Sequence, residues 1–424
     1  MTYQEAIEWL EGVSLYGKKD GLTNMRQLME ELGNPEEHLR FVHVAGTNGK
    51  GTVCALLSSM LTESGYRVGL YTSPHLVRYT ERIRIGRNEI PEEIFAALAD
   101  QVREKAEKME REGKIHPTFF QLLTAIAFLY FAREQADIVV LEVGVGGRLD
   151  ATNIIRQPLV SVITSISLDH TKVLGSTIPE IAGEKAGIIK QGCPVVVGRN
   201  VPEAMEVFHA AAKEKAAPLY EADPYPVRIL QNDLDGIRLE TEEGKLKTAL
   251  CGEYQVENLK TALTAARILS IPWKDIAAGV NKAHWPGRMQ RIHYTEHADL
   301  LLEGAHNPQG AEALGHWCRE KLAGKDVTLV FSALQKKDVT SIVRGLLIGI
   351  DPKRMIFARM QEAAGLLEQD FLKIVPEAET APNVREALAQ AYRQTAPDGL
   401  VICAGSLYLV GEVLAEVERE GKNV

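Results

Sequence analysis

The stretch that decides the fold is AGTNGKGT, Ala45–Thr52, which lies between the strand-like run FVHV and the helical pattern VCALLSSML. In a strand, glycine loop and helix of this kind, backbone N–H groups face a polyphosphate and the helix dipole favours its charge. Lys50 is placed to reach the terminal phosphates, and the Thr52 hydroxyl is placed to bind Mg²⁺. In the usual P-loop the Ser or Thr follows the Lys directly, whereas here Gly51 lies between them. A plain glycine-rich turn of a doubly wound fold explains fewer of these features. The sequence therefore predicts an ATP-binding loop that comprises Gly46, Thr47, Asn48, Gly49, Lys50, Gly51 and Thr52.

Outward from this loop, apolar runs bounded by glycine alternate with longer helical stretches, which indicates a parallel sheet covered by helices. Short alternating segments at about 218–250 predict a small antiparallel insertion. The Trp-Pro-Gly cluster that ends at Gly287 predicts a linker, after which a second α/β series begins. We therefore expect an α/β protein with two domains. We expect residues 1–287 to form a P-loop mononucleotide-binding domain that contains the insertion, and residues 288–424 to form a smaller Rossmann-like domain.

Composition excludes several classes of function. The chain has 424 residues, of which 48 are basic and 57 acidic, for a net charge of −9, so no global positive field attracts nucleic acid or anionic lipid. Its five scattered cysteines suit a reducing compartment, and we expect the cytoplasm. The longest apolar run, Leu122–Ala132, is too short to span a bilayer and predicts a buried helix. A bound polyanion must therefore be held by a local site.

Four further residues have the chemistry of a metal or anion site, but each has a structural alternative. Glu142 ends an apolar strand, where open α/β sheets bind ligands, and it is equally suited to capping the next turn. Ser73 lies in a Ser-Pro turn, and an isolated His170 is more often structural. Lys185 could be an ordinary surface lysine paired with Glu184.

Eight blocks beyond the phosphate loop resemble one family in the same order. The chain resembles folylpolyglutamate synthases and the bifunctional dihydrofolate synthases of bacteria, within the Mur ligase superfamily. The blocks are Thr72–Leu76, Tyr79–Ile85, Glu142–Asn153, Leu168–Lys190, Gly252–Leu263, Trp285–Met289, Glu303–Gly310 and Gly405–Val413. The resemblance implies that ATP phosphorylates a carboxylate, that the amine of L-glutamate attacks the acyl phosphate, and that ADP and phosphate are released.

The resemblance also assigns roles to the metal and phosphate residues. It implies two Mg²⁺ sites, with Thr52, Ser73 and Glu142 for the first and His170 for the second. It further implies that Lys185 is carbamylated and in that form is a metal ligand, since an ammonium beside two Mg²⁺ ions and a triphosphate would be misplaced. Stimulation by K⁺ is implied as well, although no residue pattern shows it. The implied catalytic residues are Lys50, Lys185, His170, Arg288 and His306.

The remaining implied contacts concern nucleotide and substrates. Asn258 is expected at the adenine base, Arg288 and Glu303 at the nucleotide or the transferring group, and His306 and Ser406 near the incoming glutamate. Without the resemblance, Ser406 reads as a helix N-cap and Arg288 as a linker charge. The pterin-bearing substrate, a reduced folate or dihydropteroate, is expected to contact His75, Arg82, Phe119, Phe120 and Asp150.

Three positions depart from the family pattern and leave substrate detail open. Glu303 replaces the usual Asp, Gln121 replaces an acid near the expected substrate pocket, and FSALQKKD at 331–338 replaces a more glycine-rich version. Whether dihydropteroate, tetrahydrofolate or both accept glutamate is not decided by the sequence.

Other functions are less well supported. A peptidoglycan Mur ligase would need room for a UDP-sugar domain, but only 45 residues precede Gly46. A catalytically silent nucleotide-binding regulator would not be expected to retain all the candidate metal ligands. We expect a monomer that binds neither nucleic acid nor membrane.

Overall fold

The computed structural model describes residues 1–13, 21–362 and 364–421. The chain forms two compact units, one of Met1–Val227 with Glu257–Ala283 and the other of Arg228–Val256 with His284–Val424. The predicted division near Gly287 assigned the antiparallel insertion to the first domain. The structure differs here, because it groups residues 228–256 with the second unit.

The sheet of the first unit is parallel at its centre, and among the described residues it has eight strands in the order β4-β3-β2-β5-β1-β6-β7-β8. At one edge, β3 pairs antiparallel with both β2 and β4. The strands are β1 (Phe41–Ala45), β2 (Val68–Tyr71), β3 (Ile83–Ile85), β4 (Asn88–Glu89), β5 (Ile138–Glu142), β6 (Val160–Ile163), β7 (Val195–Val197) and β8 (Leu219–Glu221). Every residue of β1, β2, β5, β6 and β7 is buried, as expected for a parallel sheet covered on both faces.

Helices surround this sheet. They are α1 (Tyr3–Gly12), α2 (Thr23–Glu31), α3 (Lys50–Glu63), α4 (Glu92–Arg111), α5 (Phe119–Arg133), α6 (Thr171–Leu174), α7 (Ile178–Ala186) and α8 (Pro202–Glu214), followed later in the chain by α9 (Glu253–Ile268) and α10 (Trp273–Lys282). The apolar run Leu122–Ala132 lies in α5, and most of its side chains are buried, which confirms the predicted core helix. No helix in the described ranges is long and apolar enough to cross a membrane.

The small antiparallel sheet is shorter than predicted. It contains β9 (Arg228–Asp233), β10 (Gly236–Glu240) and β11 (Lys245–Thr248), in the order β11-β10-β9. Burial alternates along β11, so the period of two that the sequence shows is real. The prediction was wrong at residues 218–227, because Leu219–Glu221 pairs parallel with β7 in the large sheet.

The second α/β unit has a sheet in the order β12-β13-β17-β14-β15-β16, with β12 antiparallel to β13. Its strands are β12 (Arg288–Ile292), β13 (Asp299–Glu303), β14 (Val327–Phe331), β15 (Met355–Ala358), β16 (Glu379–Ala381) and β17 (Leu400–Ala404). Its helices are α11 (Pro308–Lys321), α12 (Val339–Leu346), α13 (Glu368–Leu372), α14 (Val384–Gln394) and α15 (Leu407–Arg419). Short 3₁₀ turns lie at Pro35–His38, Tyr79–Arg82, Ala151–Ile154 and Pro352–Arg354.

Parallel pairing places the candidate residues of the first unit along one edge of its sheet. In register, Val44 of β1 lies beside Glu142 of β5, and Ala45 lies beside Ile163 of β6. The loops that follow β1, β2, β5 and β6 therefore leave the sheet side by side at the carboxyl ends of the strands. Open α/β sheets bind ligands at this edge.

Candidate active site

The phosphate loop is a cradle that requires glycine at two positions. Gly46 has φ +149° and Gly49 has φ +87°, a backbone conformation that other residues rarely adopt. A Cβ atom at Gly46 would lie 1.8 Å from Thr164 Oγ1, and one at Gly49 would lie 2.1 Å from Asn258 Oδ1. The loop is thus fitted closely to the end of β6 and to Asn258, the residue expected at the adenine base.

The helix after the loop presents its N-terminus without a side-chain cap. Gly49 is the N-cap residue of the 14-residue α3 and makes no side-chain capping bond. Lys50 Nζ donates to the carbonyl oxygens of Gly46 and Thr47, at 3.1 and 3.3 Å, and Thr52 is buried. Positive dipole, ammonium and hydroxyl therefore converge on one loop, which fits the triphosphate of ATP.

Two predicted metal ligands are in contact. The Glu142 carboxylate, 3% exposed at the end of β5, accepts a hydrogen bond of 3.1 Å from the backbone N–H of Ser73. Glu142 thus binds the turn that follows β2, whereas the structural alternative was that it caps the turn after its own strand, β5. Within the described ranges, no three His, Cys, Asp or Glu residues form a metal-binding cluster. The oxygen donors present, Glu142 with the hydroxyls of Ser73 and Thr52, are the hard ligands that suit Mg²⁺.

Lys185 is a buried amine at the same loop. Its side chain in α7 is among the buried polar groups of the protein, and Nζ donates to the Gly46 carbonyl oxygen at 2.7 Å. Burial, followed by the nearby charge of Lys50, lowers the pKa of Lys185 to about 7. Near pH 7 a large fraction of this amine is therefore neutral, unlike an ordinary lysine.

The alternative that Lys185 is an ordinary surface lysine paired with Glu184 is wrong, because Lys185 is buried. Glu184, its supposed partner, forms an ion pair with Arg148 at 2.5 Å. The carboxylate of Asp169 acts on Lys185 electrostatically, raising the pKa against the effect of burial. Sequence reasoning missed both Arg148 and Asp169, although each lies inside a quoted family block.

His170 lies on the loop after β6 and is more open than the other candidate ligands. It has φ +50°, precedes α6, and places Nε2 3.9 Å from Asp169. Its side chain is 39% exposed, whereas the Glu142 and Lys185 residues are only 3% and 4% exposed. The sequence placed it correctly beyond a strand end, and its role as a ligand stays a prediction.

Three predicted substrate residues form one aromatic and cationic cluster. Arg82 Nε donates to His75 Nδ1 at 2.8 Å, and burial and the Arg82 charge lower the pKa of His75 to about 3. The Arg82 guanidinium also lies 5.5 Å from the ring centre of Tyr79 and 5.9 Å from that of Phe119. A neutral imidazole, an arginine and two aromatic rings suit a planar polar heterocycle.

Phe120 and Asp150 are more involved in packing and loop structure. A Cβ atom at Gly144 would lie 2.6 Å from Phe120 Cζ, so this ring covers the start of the loop after β5. Asp150 accepts hydrogen bonds from the N–H groups of Val145 and Thr152 and from the Thr152 hydroxyl. Burial raises the pKa of Asp150, while these bonds oppose the rise. Contact of either residue with substrate stays a prediction.

Gln121 has a structural explanation. Its Oε1 accepts from Asn24 Nδ2 at 2.8 Å and from the Thr118 N–H, and its Nε2 donates to Asn24 Oδ1 at 2.9 Å. This reciprocal pair joins α5 to α2, and only an amide can both donate and accept in that way. A carboxylate at this position would have no hydrogen to give to Asn24.

In the second unit, Arg288 and Glu303 are partners. Arg288 begins β12, and its Nη1 lies 3.7 Å from Glu303 Oε1, so it is more than an exposed linker charge. The Glu303 carboxylate also accepts from the Tyr254 hydroxyl at 2.5 Å and from the Met289 N–H at 2.9 Å. Burial raises the pKa of Glu303, and Arg288 opposes the rise. Glu303 therefore fits within a network that includes Tyr254, which the sequence did not indicate.

His306 and Ser406 both lie at strand-to-helix turns of this unit. His306 Nδ1 lies 2.8 Å from the Gly304 carbonyl oxygen, which can only accept, so Nδ1 carries the proton. Ser406 is buried and caps α15 by accepting from the Tyr408 N–H at 3.1 Å. The capping role is therefore real, and any contact with glutamate would add to it. In the 331–338 segment, Leu334 forms a bridge with Gly365 beyond the end of β14.

This fold and phosphate loop define the class of the protein, a Mur-type ligase. The model of the Mur ligase middle domain matches residues 44–266, and that of the dihydrofolate synthetase C-terminal domain matches residues 289–416.

Similarity to individual proteins identifies the family to which the chain belongs. The chain is 36% identical to the dihydrofolate synthase/folylpolyglutamate synthase of Bacillus subtilis, over 97% of this chain and 98% of that one. It is similar in structure to E. coli FolC in complex with DHPP and ADP, with TM-score 0.88, 30% identity and 100% and 99% of the two chains covered. It is also similar to Mycobacterium tuberculosis folylpolyglutamate synthase complexed with ADP, with TM-score 0.87 and 29% identity, over 99% of this chain and 98% of that one. The chain belongs to the dihydrofolate synthase/folylpolyglutamate synthase family and is an ATP-dependent ligase of that family.

Proposed function

We propose that this ligase joins L-glutamate to a reduced folate, to dihydropteroate, or to both, through an acyl phosphate. The observation that carries the proposal is the phosphate loop itself, where the Lys50 ammonium bonds the Gly46 carbonyl oxygen and the N-terminus of α3 has no side-chain cap. Transfer of a phosphoryl group from ATP to a carboxylate needs positive charge at the phosphates and a site that excludes water. The glutamate amine then displaces phosphate and an amide forms.

Thr52, Ser73 and Glu142 are proposed to hold one Mg²⁺, and His170 and Lys185 a second. The contact between Glu142 and the Ser73 turn supports the first set. Bound there, Mg²⁺ would supply charge neutralisation at the phosphates. The protein itself contributes the Lys50 ammonium and the N-terminus of α3, which orient the triphosphate.

Lys185 is proposed to be carbamylated. A neutral amine attacks CO₂, forms an N–C bond and releases one proton, so that the product R–NH–COO⁻ is an anion. The pKa of about 7 for Lys185, caused chiefly by burial, keeps the amine reactive at neutral pH. Its remaining N–H could still donate to the Gly46 carbonyl oxygen, and the new carboxylate would provide oxygen ligands.

The remaining assignments follow the clusters described above. Asn258 is proposed for adenine, Arg288 and Glu303 for the nucleotide or transferring group, and His306 and Ser406 for glutamate. The pterin is proposed to lie at His75, Arg82, Phe119, Phe120 and Asp150. We further propose a cytoplasmic monomer stimulated by K⁺; five free cysteines support the reducing compartment.

A parallel assay tests the substrate proposal. Purified protein is given ATP, Mg²⁺ and labelled glutamate with either dihydropteroate or tetrahydrofolate, and labelled product and free phosphate are measured. We expect phosphate release only when acceptor and glutamate are both present, and a Lys50→Ala variant serves as the control without turnover. Product with one acceptor alone would assign one activity. Nucleotide binding without product from either acceptor would favour a silent regulator and contradict the proposal.

A further inference from the structure

A buried hydrogen-bond chain links the strand before the phosphate loop to the loop after β5. His43 Nε2 in β1 lies 2.9 Å from Thr152 Oγ1, and Thr152 Oγ1 lies 2.6 Å from Asp150 Oδ1. His43 and Thr152 are both 0% exposed, and Asp150 is 6% exposed. These three groups therefore interact without competition from solvent.

The chemistry of this chain fixes which nitrogen of His43 carries the proton. The Thr152 hydroxyl has one hydrogen and donates it to the Asp150 carboxylate, which only accepts. His43 Nε2 must then donate to Thr152 Oγ1. His43 Nδ1 is left without a proton, and among the residues that the structure describes this buried atom has no hydrogen-bond partner. Burial, with a further effect of Lys190, lowers the pKa of His43 to about 3, so the ring is neutral at pH 7.

Asp150 connects this hydrogen-bond chain to the backbone of segment 145–153. Its Oδ2 accepts from the Val145 N–H at 3.0 Å, and its Oδ1 accepts from the Thr152 N–H at 3.0 Å. The segment then ends at Asn153, whose Nδ2 donates to the carbonyl oxygens of Arg148 and Gly187 at 3.0 and 3.1 Å. Hydrogen bonds thus fix both ends of the segment.

The same segment packs backbone to backbone against the end of α7. The Arg148 N–H donates to the Glu184 carbonyl oxygen at 2.8 Å. A Cβ atom at Gly147 would lie 2.7 Å from that oxygen and 3.0 Å from Lys185 Cα, and one at Gly187 would lie 2.4 Å from Arg148 Cα. At Gly147 and Gly187 the segment therefore lies too close to the end of α7 for a side chain to fit.

These contacts therefore form a continuous path that begins and ends at β1. From His43 they run through Thr152 and Asp150 to segment 145–153, then to α7 and Lys185, and Lys185 returns to Gly46 directly after β1. We infer that His43 is a positioning residue, which acts through Thr152 and Asp150 to hold Lys185 at the phosphate loop. The effect on turnover rests on the proposed function, whereas the effect on the segment does not.

Hydrogen exchange tests the structural half of the inference. In His43→Leu and in the nearly isosteric Thr152→Val, peptides that cover 143–153 should exchange faster than in the wild type, while those of the second unit stay unchanged. His43→Gln and Thr152→Ser keep a donor and a hydroxyl, so both should restore protection. Thr328→Val removes a buried hydroxyl from β14 in the other unit and is the matched control.

Steady-state kinetics test the functional half. We expect kcat to fall about ten-fold or more in His43→Leu and Thr152→Val, while KM for ATP changes by no more than about three-fold, because the phosphate loop itself is intact. The double variant should lose little more than either single variant, since both break one chain. His43→Gln and Thr152→Ser should recover most of kcat.

Several results would overturn the inference. Unchanged exchange at 143–153, kcat losses that multiply in the double variant, or an equal loss in Thr328→Val would each do so. If the wild-type protein forms no product with any acceptor, the proposed function fails, and the exchange experiment alone decides whether His43 holds the segment.

Discussion

Two strands of five residues, β5 in the first unit and β13 in the second, both end in a buried glutamate. Glu303 at the end of β13 has Arg288 at 3.7 Å and accepts from the Tyr254 hydroxyl at 2.5 Å. Glu142 at the end of β5 accepts from the Ser73 N–H and lies in register beside the strand of the phosphate loop. The same position in a strand thus leads to two different surroundings.

The difference shows that the partner, rather than the strand end, decides the chemistry of the carboxylate. Glu303 belongs to a network with a cation and a hydroxyl donor from its own unit, so its charge is balanced by the protein. Glu142 lies with the Ser73 turn at the edge where we propose Mg²⁺, so its charge would be balanced by the metal. Four experiments test this contrast.

The largest effect is expected for Glu142→Gln. The change keeps the shape and removes the charge, so product formation should fall about 10³-fold because the proposed metal site is lost. Glu303→Gln is the matched variant and should lose about ten-fold, since Arg288 and Tyr254 remain. Labelled glutamate incorporation measures both. Equal losses would contradict the distinction between the two glutamates.

Replacement of Lys185 should have the next largest effect. Lys185→Ala is expected to lower turnover about 10²-fold, because the site loses the proposed carbamate. Added bicarbonate should restore part of the activity by placing an anion in the space. Lys282→Ala, a surface change, is the control. Full activity of the wild type in CO₂-free buffer, with no rescue of the variant, would exclude carbamylation.

A smaller effect concerns the stability of the second unit. Arg288→Ala leaves Glu303 buried without its cation and should cost about 1–3 kcal/mol of unfolding free energy. Arg385→Ala in the same unit breaks an exposed pair with Glu416 at 3.0 Å and should cost less than about 1 kcal/mol. Denaturant titration compares the two. A cost for Arg288→Ala no larger than that of Arg385→Ala would argue against a balanced network at Glu303.

The smallest effect is a difference in pH dependence, with opposite signs in the two units. The pKa of His43 is lowered to about 3 by burial, so the folded state resists protonation, and stability is lost as pH falls from about 6.5 towards 3. The pKa of Glu303 is raised by burial, so its ionisation weakens the folded state as pH rises above its ordinary range. Melting temperatures of the wild type, His43→Gln and Glu303→Gln should diverge in these opposite directions. Parallel curves would contradict both assignments.

The sequence predicted the features whose signals are local. Strand, glycines, Lys50 and Thr52 lie within one short segment, and Glu142 and Ser73 follow strands whose ends meet at one edge of a parallel sheet. The bond between His43 and Thr152 spans 109 positions, and that between Asn24 and Gln121 spans 97. Such pairings depend on tertiary packing, and no periodicity in either segment indicates them. The grouping of residues 228–256 with the second unit is missed for the same reason.

The Asn24–Gln121 pair also bears on how this protein ages. Both residues are amides, so ordinary changes of pH leave this joint between α2 and α5 neutral. Deamidation of Gln121 would introduce the acid that the family pattern has at this position, but opposite Asn24 it would remove a hydrogen-bond donor and bury a charge. One slow deamidation would therefore weaken the contact between α2 and α5, and the burial of both side chains limits the access of water to these amides.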